Sequence, residues 1–223
     1  MKKYGAFDIL GPIMIGPSSS HTAGAARLGK VARNIVGDKF DKVEFYLHGS
    51  FAHTYKGHGT DKALVAGILG MDPDDEGLRK SLEIAGDKNI QIEFKTIELE
   101  DSHPNTAKII FYNEGEKIGE IIGSSIGGGS IKITSVDGYM VDLTGEYSAI
   151  LINQFDRKGV ISSVTKILAD QGSNIATMNV TRNNKGERAF TIIQSDHVIS
   201  NDIVGEIAKL DNIISVRVIN PSK

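Results

Sequence analysis

The clearest alternation of apolar and polar positions lies in the C-terminal third of the chain. Residues 147–154 form an apolar run closing on polar residues, which predicts a strand. In residues 159–171, Val160, Val164, Ile167 and Leu168 recur at helical spacing, and the run stops at Gly172. Residues 175–182 predict a second strand, Asn183-Asn184-Lys185-Gly186 a hairpin turn, and 188–194 a third strand. Residues 200–210 predict a second helix with Ser200 as its N-cap, and 213–219 a last strand. The order β-α-β-β-α-β is that of a ferredoxin-like unit.

The preceding part reads as an α+β mixture. Helices are predicted over 23–36, over 61–70 (opened by Thr60) and over 74–85. Strands are predicted over 43–48, 90–99, 106–112, 117–123, 130–136 and 139–143, with a sharp turn at Gly127-Gly128-Gly129. The two parts join at Thr144-Gly145-Glu146 without a long linker. This predicts one domain over 1–144 and a second over 147–220. No repeat at a solenoid period is present.

Composition narrows the function classes. A net charge of −3 and the lack of a long basic run argue against a nucleic-acid partner. No apolar stretch is long enough to cross a bilayer, so no membrane partner is expected. Met1-Lys2-Lys3-Tyr4, followed closely by Asp8, lacks the apolar core of a signal peptide, and a cytoplasmic location is the default expectation. The chain has no cysteine. That excludes a disulfide framework, a thiol nucleophile and a thiolate-held metal or iron–sulfur cluster on this chain alone; any such centre would come from a partner. No histidine pair has zinc spacing, so no metal ligand is assigned.

Candidate chemistry concentrates in Gly16-Pro17-Ser18-Ser19-Ser20-His21-Thr22, just ahead of the first predicted helix. Ser and Thr cap helix N-termini, and the free N–H groups there attract anions. His21 adds a group that holds or releases a proton near neutral pH. The motif therefore reads either as a serine-rich cap with an incidental histidine or as a pocket for the carboxylate of a small polar substrate. His58, in Gly57-His58-Gly59-Thr60-Asp61-Lys62, stands in what reads as a glycine loop before another helix; it is either a turn residue or a second member of a site. His103, in Asp101-Ser102-His103-Pro104-Asn105-Thr106, precedes a proline and reads equally as an extended turn position. His48 and His197 read as structural or solvent-facing. Gly123 to Ser130 lacks the lysine spacing of a phosphate loop and reads as a glycine-rich turn between strands. In the C-terminal unit, Asn153, Asp156 and Gly159 lie where the first strand turns into the first helix, and Asn174 stands at the entry to the second strand. These are possible effector-binding positions, or an ordinary turn.

With these motifs in order, the chain resembles, over essentially its full length, the β chain of the bacterial two-chain, iron–sulfur-dependent L-serine dehydratase. The resemblance rests on Gly16 to Thr22, Gly57-His58-Gly59-Thr60-Asp61-Lys62-Ala63 and His103-Pro104-Asn105-Thr106. The C-terminal unit resembles an ACT domain, with Lys158 standing where many have proline. The N-terminal domain is similar in fold to the allosteric substrate-binding domain of some D-3-phosphoglycerate dehydrogenases.

The resemblance implies that an α subunit carries a [4Fe–4S] cluster whose open iron polarises the hydroxyl of L-serine. A base removes the α-proton, the β-hydroxyl leaves as hydroxide, and the resulting aminoacrylate tautomerises and is hydrolysed to pyruvate and ammonia. The resemblance implies that Ser18, Ser19, Ser20 and Thr22 bind substrate, that His21 and His58 act in catalysis, and that Thr60, Asp61 and His103 are further substrate-binding residues on the same wall. The ACT unit would bind an effector or associate with a second copy. The rival reading is a purely regulatory, amino-acid-sensing chain. A third, a cousin of the dehydrogenase regulatory domain, is weaker, since no Gly-x-Gly-x-x-Gly follows an N-terminal strand.

Overall fold

The computed structural model describes residues 13–182 and 184–220. The N-terminal segment expected to lack a signal peptide, and Asn183 of the predicted hairpin turn, lie outside the described residues. The chain forms two compact units, Met1–Thr144 and Gly145–Lys223.

In the first unit six strands form one sheet in the order β2-β1-β3-β4-β5-β6. They are β1 Lys42–Leu47, β2 Gln91–Thr96, β3 Thr106–Asn113, β4 Glu116–Gly127, β5 Ser130–Val136 and β6 Tyr139–Leu143. Only β1 and β2 run parallel; the other neighbours are antiparallel. Parallel neighbours need a long crossover, and the helices between β1 and β2 supply it. Val43, Phe45 and Leu47 alternate along β1 into a core completed by Phe111, Ile109, Ile121 and Ile133 and by Leu28, Ile35, Leu64 and Ile68 from the helices.

The helices are α1 Ala25–Val36, α2 Gly49–His58, α3 Thr60–Ile68 and α4 Ser81–Asp87, with a 3₁₀ turn over Glu76–Lys80. Helices α1 and α3 touch backbone to backbone. A Cβ on Gly29 would lie 2.4 Å from the Leu64 carbonyl, and one on Gly67 2.1 Å from that of Ala26. Larger residues would hold the two axes apart.

The other alternating set on β1 meets a charged layer. Lys42 and Lys95 each bridge both Glu44 and Glu93, at 2.9–3.1 Å. The Glu44 carboxylate is pushed down to about 2, first by the Lys42 hydrogen bond and then by those of Tyr46 and Lys95, against the opposing cost of burial.

Two predictions fail here. The segment leading to His58, read as part of a glycine loop, forms helix α2, Gly49–His58. Two glycines, Thr54 and a single buried side chain, Phe51, leave no apolar period to find. Tertiary contacts hold the helix instead: Phe51 N–H donates to the Pro104 carbonyl at 3.3 Å, and Tyr55 stacks on Phe94 at 5.6 Å. The single helix expected over 74–85 is split, because Asp75 Oδ1 accepts the Gly77 N–H at 2.8 Å and starts a 3₁₀ turn before α4.

The second unit is the ferredoxin-like ACT fold: a four-stranded antiparallel sheet in the order β10-β7-β9-β8, with two helices. The strands are β7 Ser148–Phe155, β8 Ile175–Arg182, β9 Arg188–Ser195 and β10 Ile213–Ile219. Helices α5 Val160–Asp170 and α6 Asn201–Ala208 pack Val164, Leu168, Ile203 and Ile207 against Ile150, Ile152 and Ile193. Ser200 caps α6, its Oγ accepting the Ile203 N–H. Among the described residues no helix is long and apolar enough to cross a membrane.

Candidate active site

The serine-rich motif does not merely precede the first helix. Ser19–Gly24 already coils as a π turn that runs directly into α1. Ser18 caps it. Its Oγ accepts the His21 N–H at 3.1 Å, and its carbonyl accepts the Thr22 N–H at 2.8 Å. The first backbone N–H groups of a helix, here those of Ser19 and Ser20, have no acceptor within the helix itself and stand at its positive end. Both side chains are half-buried.

The turn is seated on β4. Gly24 passes so close to Ser125 that a Cβ there would lie 1.9 Å from Ser125 Oγ. Ser125 N–H in turn donates to the Asn105 carbonyl at 2.9 Å, and Arg27 donates to the Gly129 carbonyl at 2.9 Å. The end of β4 therefore seats this turn, and the glycine turn after it holds the start of α1.

His21 meets α2 on three sides. Its Nε2 lies 3.2 Å from Ser50 Oγ, its ring is edge-on to Phe51 at 5.3 Å, and the His58 ring stands 4.9 Å away. Its Nδ1 lies 3.5 Å from Ser18 Oγ. Burial, and then the neighbouring His58 charge, push the His21 imidazole below its ordinary range. At neutral pH it is the uncharged ring, able to accept a proton. His58 is exposed at the last residue of α2, where Gly59 at φ +70° breaks the chain before α3.

The other predicted residues divide. Thr22 is 2% exposed and Thr60 0%, and the Oγ1 of each is buried without a hydrogen-bond partner. Asp61 Oδ1 accepts the Lys62 N–H at 2.8 Å in the first turn of α3. His103 is exposed, its Nδ1 accepting the Asn105 N–H at 3.1 Å within its own loop. Its neighbour Pro104 is the residue that reaches the site, by packing on Gly49 and Phe51 at the start of α2. Ser50 and Phe51 carry no motif signal in the sequence, and Ser125, read as part of a glycine-rich turn over Gly123 to Ser130, lies instead within strand β4, which runs to Gly127. Only the tertiary fold brings Ser50 and Phe51 to His21 and Ser125 to Gly24.

In the second unit Asp156 Oδ2 is already engaged by Gly186 N–H at 2.9 Å and Arg182 at 3.2 Å. These partners, Gly186 foremost, lower its carboxyl below the ordinary range. Asn174 donates to Asp196 at 2.9 Å. Gly159, at φ +89°, leaves the start of α5 without a side-chain cap, and Asn153 Oδ1 is buried without a partner. Among the described residues no group of three or more His, Asp or Glu side chains could hold a metal ion. With no cysteine either, the residues of this chain do not fit an iron–sulfur cluster.

Comparison with known proteins places the chain in a family. Residues 5–135 match the serine dehydratase beta chain family, and residues 148–212 match the ACT domain. The chain is 43% identical over 219 residues to the "L-serine dehydratase, beta chain" of Peptoniphilus asaccharolyticus, covering 97% of this chain and 98% of that one. It is 45% identical over 216 residues to the "Probable L-serine dehydratase, beta chain" of Bacillus subtilis, with the same coverage. A D-3-phosphoglycerate dehydrogenase of Methanocaldococcus jannaschii is 28% identical over 202 residues, 88% of this chain but 37% of that protein. The chain belongs to the serine dehydratase beta chain family and carries a C-terminal ACT domain.

Proposed function

We propose that this chain is the β subunit of a cytoplasmic L-serine dehydratase, converting L-serine to pyruvate and ammonia together with an α subunit that holds a [4Fe–4S] cluster. The observation that carries the reading is the meeting of His21 and His58 over the N-terminal turn of one helix. The backbone N–H groups of Ser19 and Ser20, with the hydroxyls of Ser18, Ser19 and Ser20, bind the serine carboxylate there. Neutral His21 and exposed His58 handle the proton. Thr22, Thr60 and Asp61 support the wall, and the buried threonines shape it from behind, while His103 stays in its own loop and Pro104 takes its place beside α2.

The ACT unit is proposed to associate with a second copy, and Asn153, Asp156, Gly159 and Asn174 to surround an effector. The open start of α5 and the unpartnered Asn153 favour that second role.

The test is co-expression with a cysteine-bearing α chain and an anaerobic serine-to-pyruvate assay. His21→Ala in the assembled complex is expected to lower kcat/KM by at least about tenfold, within the range of a positioned acid or base. Unchanged turnover in a correctly assembled complex refutes the catalytic role. Tight serine binding by the isolated chain, with activity surviving replacement of Ser18 to Thr22, would establish the purely regulatory reading instead.

A further inference from the structure

Both ring nitrogens of His21 face hydroxyls, and the two hydroxyls are not equivalent. Ser18 Oγ already accepts the backbone N–H of His21 at 3.1 Å. Its own proton is then the group best placed to go to Nδ1, 3.5 Å away. An uncharged imidazole carries one ring proton. With Nδ1 accepting, that proton sits on Nε2, which lies 3.2 Å from Ser50 Oγ.

Ser50 itself is held firmly. It is the second residue of α2, and its carbonyl accepts the Thr54 hydroxyl at 2.7 Å. Gly49 before it takes φ +56° and packs so closely on Pro104 that a Cβ would lie 2.7 Å from the Pro104 carbonyl oxygen. The His103-Pro104-Asn105 loop thus sets where Ser50 stands, without bringing His103 to the ring.

We infer that Ser50 is a positioning residue for His21: its hydroxyl accepts the Nε2–H, fixes that tautomer and holds the ring against His58. Its effect on turnover rests on the dehydratase reading, whereas the tautomer is a property of this chain alone. Nitrogen-15 NMR of the full chain, labelled at histidine and assigned with His21→Ala, reads the tautomer directly. Wild-type His21 is expected to be the Nε2–H form. Ser50→Ala is expected to mix the two tautomers or to move the proton to Nδ1, and Ser50→Thr to restore the wild-type form.

In the assembled complex, Ser50→Ala is expected to lower kcat roughly three- to tenfold, the size of one ordinary hydrogen bond. KM should change less than about twofold, since the carboxylate-binding turn is untouched, and Ser50→Thr should recover most of the rate. An Nδ1–H form in the wild type, or an unaltered tautomer in Ser50→Ala, overturns the inference. So does full activity of Ser50→Ala in a complex that His21→Ala inactivates. Full activity of His21→Ala strikes the dehydratase reading of the site itself, and the effect of Ser50 on turnover falls with it.

Discussion

Gly24→Ala tests whether the seat of the π turn on β4 is what places His21. A new Cβ would meet Ser125 Oγ at 1.9 Å and Ser125 Cβ at 2.8 Å. Rotating the serine moves its oxygen aside and leaves Cβ still too close, so the turn must lift by on the order of 1 Å. Two effects oppose each other in stability. Gly24 has helical angles, φ −64° and ψ −39°, so alanine gains about 1 kcal/mol of helix propensity. Overpacking costs about 1–3 kcal/mol. The balance is a loss of about 0–2 kcal/mol, too small a signature alone.

A double-mutant cycle with Ser125→Gly separates the two effects. That change removes both clashing atoms, and the next contact, Ser19 O at 3.5 Å, is ordinary. Urea unfolding, with hydrogen exchange read in the N-terminal unit, is expected to show a favourable coupling of about 1 kcal/mol or more. Turnover of Gly24→Ala in the complex should fall by up to about 100-fold, as a displacement near 1 Å allows. It should return in the double variant. A coupling of zero, or Gly24→Ala with wild-type turnover, refutes the role of this contact.

Other outcomes follow from the charged side chains. Glu44 titrates at about 2 when folded and near 4.5 when unfolded, so its stabilisation is full above pH 4.5 and is lost as pH falls toward 2. At full strength this is worth ~3 kcal/mol, and ~1–2 kcal/mol once water around the partly exposed Lys42 and Lys95 screens it. Glu44→Gln should therefore flatten the acid limb of the stability curve, measured by urea unfolding between pH 2 and pH 5; an unchanged limb contradicts the ion-pair lattice. Asp156→Ala should speed amide exchange at Gly186, its 2.9 Å donor, while leaving the N-terminal unit unaltered. Unchanged exchange there means that the carboxylate does not tie the β8–β9 hairpin to the strand-to-helix turn.

The ferredoxin-like unit was legible because its signals are local. Alternation in β7 and β9, helical spacing in α5 and the Ser200 cap each lie within one element, and the predicted order matches the fold. The N-terminal strands were legible on the same grounds. Helix α2 was not. Its sequence, Gly-Ser-Phe-Ala-His-Thr-Tyr-Lys-Gly-His, buries only Phe51, so nothing in its periodicity separates it from a loop. Missing that helix also misplaced His58, which ends an ordered element beside His21.

The amino-acid sequence was enough to place Ser18 to Thr22 as a cap just ahead of a helix, with His21 in that cap; that Ser19–Gly24 itself coils as a π turn came from the structure. The sequence also determined that no thiolate could come from this chain. Capping, helix polarity and the inventory of side chains depend only on neighbours and composition. The structure alone decided what surrounds His21. Ser50 lies 29 residues from it in the chain. They meet because Pro104 seats the first turn of α2 and because Ser125 leaves room only for a glycine at position 24. Such contacts are set by how closely backbones can approach, and no periodicity along the chain records that distance.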